Sequence, residues 1–326
     1  MPAALPSNSE TLVTVFGGSG FIGRHVVRAL AKRDYRVRVA VRRPELANHL
    51  QPLGRVGQIH AVQANIRYPD SVAAAIRGAD IVINLVGIMA ESGAQRFDAV
   101  QGAGAGTVAK AAAAAGARMI HVSAIGADAE SPSRYAQAKA AGEAAVREAA
   151  PDAVIFRPSV VFGPEDEFTN RFAAMAQMMP VLPLVGDGVT RMQPVYVEDV
   201  AHAVADAADG KAKAGGAYEL GGPDVMSLRQ IVSGILEIID RKRWLVPLPF
   251  ALARLKAVVL QFAPSPLTLT RDQVTLLQSD NVVSDGARAA GLTLEGLGIA
   301  PDALQAVAPQ YLWRFRPMGQ FQRKNA

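Results

Sequence analysis

The sequence predicts an α/β fold, a doubly wound parallel sheet with a smaller C-terminal α/β cap. Three observations predict it. Short apolar, β-rich runs alternate with helical stretches through the first half of the chain, a glycine-spaced turn joins the first strand to the first helix, and from Arg157 the rhythm loosens around Pro158, Pro164, Pro180, Pro183 and Pro194. Val13, Val15 and Phe16 make the first strand, Gly17, Gly20 and Gly23 the turn, and Ile22, Val26 and Leu30 the apolar stripe of the first helix. Residues 36–41 alternate as a second strand and 58–63 as a third. Residues 80–85 and 118–123 are continuous apolar runs, as strands covered on both faces require, and 153–156 supply a sixth strand. Helical stretches fall at 71–76, 97–115 and 135–149. Beyond them, helices are expected at 168–179, 197–208 and 227–240, the last capped by Ser227, with a strand at 217–220. The alternation is the Rossmann arrangement. It places a nucleotide-binding core at 11–165 and a smaller cap, interleaved with it, at 166–326.

Composition narrows the chemistry. The 326 residues are 50% hydrophobic, enough for a sizeable core. There is no cysteine, which excludes disulfides, thiolate catalysis and cysteine-ligated metal, and the five histidines lack ligand spacing, so no metal site is expected. Basic residues number 34 against 29 acidic, a formal charge of +5, and they are interspersed. No basic patch interleaved with aromatics points to nucleic acid. The first ten residues resemble neither a secretory signal nor a mitochondrial presequence, so the expected compartment is the cytoplasm. Arg254, Lys256 and Arg271 interrupt the most hydrophobic part of the C-terminal half, so no membrane-spanning helix is expected.

The glycine turn carries the first functional expectation. Gly17 permits a sharp turn, Gly20 lets backbone approach a pyrophosphate, and Gly23 lets the helix lie against the sheet, whose free N-terminal amides favour phosphate charge. Tyr135 and Lys139, four apart on a helix, project from one face just after the fifth strand and Ser123. There a lysine can bond a nicotinamide ribose and lower the pKa of the tyrosine, which can then exchange a proton with a carbonyl or hydroxyl.

With GGSGFIG at 17–23, INLVG at 83–87, HVSA at 121–124, YAQAK at 135–139, RPSVVFGP at 157–164 and QPVYVEDVA at 193–201, the chain resembles an extended or atypical short-chain dehydrogenase/reductase, of the NAD-dependent epimerase/dehydratase kind. Within that superfamily, SRYAQAKAAGE, FGPEDEFTNRFA, MQPVYVEDV, PLPF and TRDQV are similar to the NADPH-binding accessory subunit of respiratory complex I (NADH:ubiquinone oxidoreductase) and its bacterial relatives. The resemblance implies that Gly17, Gly20, Phe21, Ile22 and Gly23 hold the pyrophosphate and Lys139 the ribose, with Tyr135 the proton donor in an active enzyme and Ser123 beside it. It also implies that Val86 and Gly87 run along the cofactor and that the turn at Pro158 and Val160 lies near the nicotinamide. Asn65 stands where the family often has an aspartate, and can still accept a hydrogen bond from adenine. Where an NAD-selective site places a carboxylate, about 20 residues past the glycines, this chain has Arg42 and Arg43. Two guanidinium groups suit a 2′-phosphate, so NADP(H) is preferred, with NAD(H) the alternative. Ala124 departs from the second serine or threonine of many extended members, and Ser131 or Ser133 can replace that hydroxyl only if the loop folds back.

In the C-terminal half, residues 244–263 put Leu252, Leu255, Val258 and Val259 on one helical face behind the basic run Arg241, Lys242 and Arg243. That face suits a core helix, a membrane surface or a hydrophobic partner. The tail combines Trp313, Phe315 and Phe321 with Arg314, Arg316, Arg323 and Lys324, a pairing common in interfaces, against a default of terminal disorder. The resemblance implies complex I subunits as partners, near the membrane and quinone site on the cytoplasmic face of the inner membrane, with a structural nucleotide. The rival is a free-standing NADPH-dependent oxidoreductase, epimerase or dehydratase using Tyr135 and Lys139 on a quinone-related or sugar-nucleotide substrate. A redox-sensing regulator is a weaker third reading. The intact YAQAK favours the enzyme, and Ala124 with the hydrophobic C-terminal half favours the docked subunit.

Overall fold

A computed structural model describes residues 8–264 and 266–321. In chain order run β1 (Leu12–Phe16), α1 (Phe21–Lys32), β2 (Arg36–Val41), β3 (Ile59–Gln63), α2 (Pro69–Ile76), β4 (Ile81–Asn84), α3 (Ala103–Ala114), β5 (Arg118–Val122), α4 (Arg134–Ala149) and β6 (Val154–Pro158). There follow β7 (Val161–Phe162), α5 (Thr169–Met178), β8 (Val181–Val185), β9 (Arg191–Met192), β10 (Val195–Tyr196), α6 (Val197–Ala208), β11 (Ala217–Leu220), β12 (Met226–Ser227), α7 (Leu228–Ile238), β13 (Trp244–Leu248), α8 (Phe250–Leu260) and α9 (Arg271–Leu276). Two compact units divide them. The first comprises the described residues up to Pro158 with Glu198–Glu219 and Gly286–Ile299, and the second comprises Ser159–Val197, Leu220–Asp285 and the described residues from Ala300.

The first unit is built on a seven-stranded sheet in the order β11-β6-β5-β4-β1-β2-β3. β1 pairs in parallel with both β2 and β4, Val13 lying opposite Val37 and Ile81. The strand order therefore reverses between β1 and β4, the position at which doubly wound sheets open a crevice at the carboxyl ends of their strands. β4 is buried along its whole length and β1 along all but its first residue, as strands covered on both faces must be. Thr14, the one polar residue inside β1, is accommodated because its hydroxyl donates to Ala75 O at 3.3 Å. Phe16, Val82, Met119 and Ile155 pack with Val72, Ile76, Val108 and Val146 in one core cluster.

The second unit has three two-stranded sheets, β10 with β7, β12 with β9 and β13 with β8. Its core gathers Phe162, Leu182, Leu184, Ile231, Ile235 and Leu312. Ser227 caps α7 as expected, in a capping box with Gln230.

Three expectations are corrected. The stretch 97–115 is not one α-helix, because residues Asp98–Gly102 form a π-helical turn before α3 begins. Residues 244–248 are not helical either. They extend as β13, with Trp244 opposite Val181 and Leu248 opposite Val185, and only Phe250–Leu260 coils. The tail is ordered through Phe321: Tyr311 and Leu312 are buried, and the Arg316 guanidinium donates to Ile238 O at 2.8 Å. Arg323 and Lys324 lie outside the described residues.

Candidate functional site

At the crevice, β1 runs into a turn that only glycine can make. Gly17 has φ +79°, donates its N–H to Ala40 O and accepts from the Gly20 amide at 3.0 Å. A Cβ on Gly23 would lie 2.2 Å from Gly17 O, which is what presses α1 against the strand. A Cβ on Gly20 would meet only Gly17 O, at 3.3 Å, so packing alone does not demand glycine there. Gly20 is the N-cap of α1 and offers no side chain to the first amides, leaving them to an external anion.

The next wall is the exit of β4. Asn84 is fully buried and its Oδ1 accepts the Val86 N–H at 3.1 Å, which turns its amide nitrogen towards His121 Nδ1, 3.3 Å away. His121 therefore accepts on Nδ1 and carries its proton on Nε2. Burial, followed by the charge on Lys139, drives its pKa down to about 3, so the ring is neutral. A Cβ on Gly17 would lie 3.2 Å from Val86 N, and one on Gly87 would lie 3.5 Å from Lys139 Nζ. Gly17 thus lies against Val86, and Gly87 against Lys139.

Helix α4 carries the titratable side chains Tyr135, Lys139 and Glu143. Ser133 caps it, accepting from Ala136 N, so that hydroxyl serves the helix terminus, and Ser131 Oγ accepts the Ser133 amide. Lys139 is buried, with Nζ donating to Val122 O at 3.3 Å and lying 5.9 Å from the centre of the Tyr135 ring. Burial lowers its pKa to about 8, opposed by Glu143 one turn further on. Burial alone would raise the Glu143 carboxyl. Arg157 overrides it with two bonds of 2.8 and 2.6 Å, and the carboxyl sits below its ordinary value. Tyr135 is half-buried and stacks edge-on against Phe97 at 5.8 Å. Ser123 is buried directly after β5, its N–H bonded to Phe156 O at 2.7 Å.

A second cluster stands at the ends of β2 and β3. Arg42 lines a pocket of about 430 Å³ with Gln63, Ala64, Asn65, Tyr68, Ser71 and Ala74. No carboxylate lines it. Asn65 Oδ1 accepts the Arg67 amide at 3.2 Å, and its own N–H donates to Ser71 Oγ at 2.8 Å. Arg42 and Arg43 are exposed, and neither guanidinium has a hydrogen-bond or ion-pair partner among the described residues. Arg43 does not line the pocket.

Pro158 closes β6 in the first unit and its carbonyl accepts the Ile125 amide, whereas Val160 belongs to the second unit and accepts from Val195. Sequence reasoning missed Asn84, Gln101, His121 and Glu143, all buried polar groups. Gln101 sits in the π-helical turn, its Oε1 taking the Ile88 N–H at 2.8 Å while Nε2 is buried without a partner. Such turns recur at functional positions. The available signals were the lone Asn84, Gln101 and His121 in apolar runs, and Glu143 four residues after Lys139.

The sequence pattern of the NAD dependent epimerase/dehydratase family matches residues 13–221. The chain belongs to this family. Among its relatives, the "NADH dehydrogenase [ubiquinone] 1 alpha subcomplex subunit 9, mitochondrial" of Arabidopsis thaliana is 36% identical over 96% of this chain and 80% of its own length. The "Ceramide reductase" of Caulobacter vibrioides is 37% identical over 60% of this chain and 61% of its own. The solved UDP-glucose 4-epimerase of Thermotoga maritima shares the fold, with a TM-score of 0.71 at 18% identity over 94% of this chain and 99% of the other.

The epimerase/dehydratase fold is NAD(P)-binding, and this member's residues fit such a group. The Gly17–Gly20 turn leaves room for a pyrophosphate at uncapped amides, and Gln101 Oε1 and the Lys139 ammonium flank Gly87, where a ribose would be met.

Proposed function

We propose that this chain holds NADP(H) in its first unit and joins an NADH:ubiquinone oxidoreductase as an accessory subunit, the nucleotide holding the fold rather than carrying electrons. The observation that supports the assembly most is reach: relatives named as subunits of that oxidoreductase match nearly the whole chain, in both units. The preference for NADP(H) over NAD(H) rests on the unpartnered Arg42 in a pocket without a carboxylate, where a 2′-phosphate would find charge-assisted bonds and a ribose diol no acceptor of the usual kind. Gly17, Gly20, Phe21, Ile22 and Gly23 would carry the pyrophosphate, Asn65 the adenine end, and Val86, Gly87 and Lys139 the nicotinamide ribose. The place of assembly is the cytoplasmic face of the inner membrane.

The second reading is a free-standing NADPH-dependent reductase, favoured by the half-buried Tyr135 beside Lys139 and by the ceramide reductase relative. In that reading Tyr135 gives a proton to a substrate oxygen while Lys139 lowers its pKa. Membranes of the native host, solubilised in mild detergent and run on a native gel, distinguish the two. The chain should migrate with NADH:quinone reductase activity. Migration apart from that activity would overturn the subunit reading and favour the reductase.

A further inference from the structure

Helix α8 is fastened to the second unit by its small side chains. Ala253 and Ala257 are fully buried, packed with Val185, Leu248 and Val274. Its large apolar side chains face the other way. Leu255 is 67% exposed, Val259 73% and Phe262, in the turn that closes the helix, 84%, with Leu252 at 42%. At 3.6 residues per turn these four fall on one stripe, opposite the alanines. Arg254 and Lys256, both exposed, flank it on either side. This inverts a core helix, which buries its large residues and exposes its small ones. No helix among the described residues is long and apolar enough to cross a membrane, so the stripe does not belong to a span.

Charge says what covers it. From residue 241 to 271 the chain carries Arg241, Lys242, Arg243, Arg254, Lys256 and Arg271 and not one aspartate or glutamate. None of the six makes an ion pair among the described residues. Arg241 and Arg243 donate to the backbone carbonyls of Phe315 and Ala176, and Arg254 to the Gln278 side chain, so their charges remain uncompensated. Trp244, 77% exposed, lies in the same stretch. Apolar side chains beside uncompensated cations, with a tryptophan nearby, is the composition that seats in the headgroup layer of an anionic bilayer, where the apolar stripe enters the acyl boundary and the cations meet lipid phosphates.

We propose that α8 is a monotopic docking face for an anionic lipid surface, with Leu255, Val259 and Phe262 inserted and Arg254 and Lys256 on phosphates. The face stands independently of the nucleotide reading and of assembly with an oxidoreductase. The test is flotation of the full chain with vesicles of phosphatidylcholine containing one-third phosphatidylglycerol, and with phosphatidylcholine alone. Binding to the anionic vesicles should be at least tenfold stronger and should weaken as salt rises. The double variant L255E/V259E should lose it at least tenfold. Both positions are exposed, so NADPH affinity and the thermal midpoint should stay as in the parent, which reports on folding and on the nucleotide site separately. Equal binding to both vesicles, or undiminished binding by the variant, would overturn the proposal. So would a chain that ignores both vesicles but forms a dimer by light scattering that L255E/V259E dissolves, because the face would then cover a second copy.

Discussion

Lys139 sets stability against binding. Its ammonium is buried, and burial rather than a neighbouring cation lowers its pKa from 10.5 to about 8. Below about pH 8 the group is charged in both the folded and unfolded chain and the burial penalty is carried in full. Between about 8 and 10.5 the folded chain gives up a proton that the unfolded chain keeps, so stability rises with pH across that window. Lys139→Met should therefore make the nucleotide-free protein more stable at pH 7, by roughly 1–3 kcal/mol, and flatten its dependence on pH above 8. The same substitution should weaken NADPH binding at least tenfold. Urea unfolding and fluorescence titration read the two effects, and unchanged affinity would remove Lys139 from the site. Arg42 makes a cleaner separation. Arg42→Ala should cost NADPH about tenfold in affinity, roughly 1.4 kcal/mol, and leave NADH unaltered, while Arg43→Ala, outside the pocket, should do less. Equal losses for both nucleotides would sink the 2′-phosphate assignment. The positions of the glycines, Tyr135, Lys139 and Arg42 were legible because spacing, together with their place after a predicted strand, sets them at a strand end or on one helix face. His121 and Gln101 were not, since a polar residue inside an apolar run shows its role only when the register turns it towards Asn84 or Gly87.

At the scale of elements, the π-helical turn and α4 determine each other. Gly142 lies so close to the turn that a Cβ there would stand 2.1 Å from Gln101 O, and one on Gly106 would stand 3.0 Å from Ala145 Cβ. The alanine-rich sequence predicts helices at 97–115 and 135–149, and α-helix is found over Ala103–Ala114 and Arg134–Ala149. What the sequence did not show is that these small residues let two helices approach closely beside a turn that winds wider, because an i→i+5 bond leaves no periodic trace. Two effects compete in Gly142→Ala. Helix propensity favours alanine by about 1 kcal/mol, but the clash is with backbone, which cannot swing aside, and forced shifts of this kind cost about 1–3 kcal/mol or more. The clash should win, lowering the thermal midpoint and, because Gln101 must move with its carbonyl, weakening NADPH binding as well. Hydrogen exchange at 98–102 should accelerate in the variant. A midpoint at or above that of the parent would show that the turn relaxes into an α-helix at no cost.

The molecule as a whole is discontinuous in sequence, and that has a consequence for any fragment. The first unit completes its sheet with β11 and is buttressed by α6, both drawn from beyond residue 197. Ile155 N donates to Gly216 O at 2.9 Å, Phe156 packs on Tyr218 at 5.6 Å, and Arg157 reaches Glu219 at 3.8 Å. On the α6 side, His25 and Arg28 both meet the Glu198 carboxylate, Arg33 bridges to Asp206 at 2.8 Å and Asp209 at 2.6 Å, and Tyr35 donates to Asp209 at 2.9 Å. Burial, reinforced by Asp209, pushes the Tyr35 pKa up to about 12, a sign of how closed this contact is. The sequence showed a strand at 217–220 and a helix at 197–208, but periodicity says only that an element exists and not which sheet it joins. That information lies in long-range pairing. A fragment of residues 11–165 keeps every glycine, Tyr135 and Lys139, yet it leaves β6 as a bare apolar edge and strips α1 of the carboxylates that hold it. It should therefore be soluble at best as an expanded state, without near-UV circular dichroism, cooperative urea unfolding or NADPH binding, whereas the full chain should show all three. A fragment that unfolds cooperatively and binds the nucleotide would show that the sheet closes at β6, and that β11 and α6 serve the second unit rather than the site.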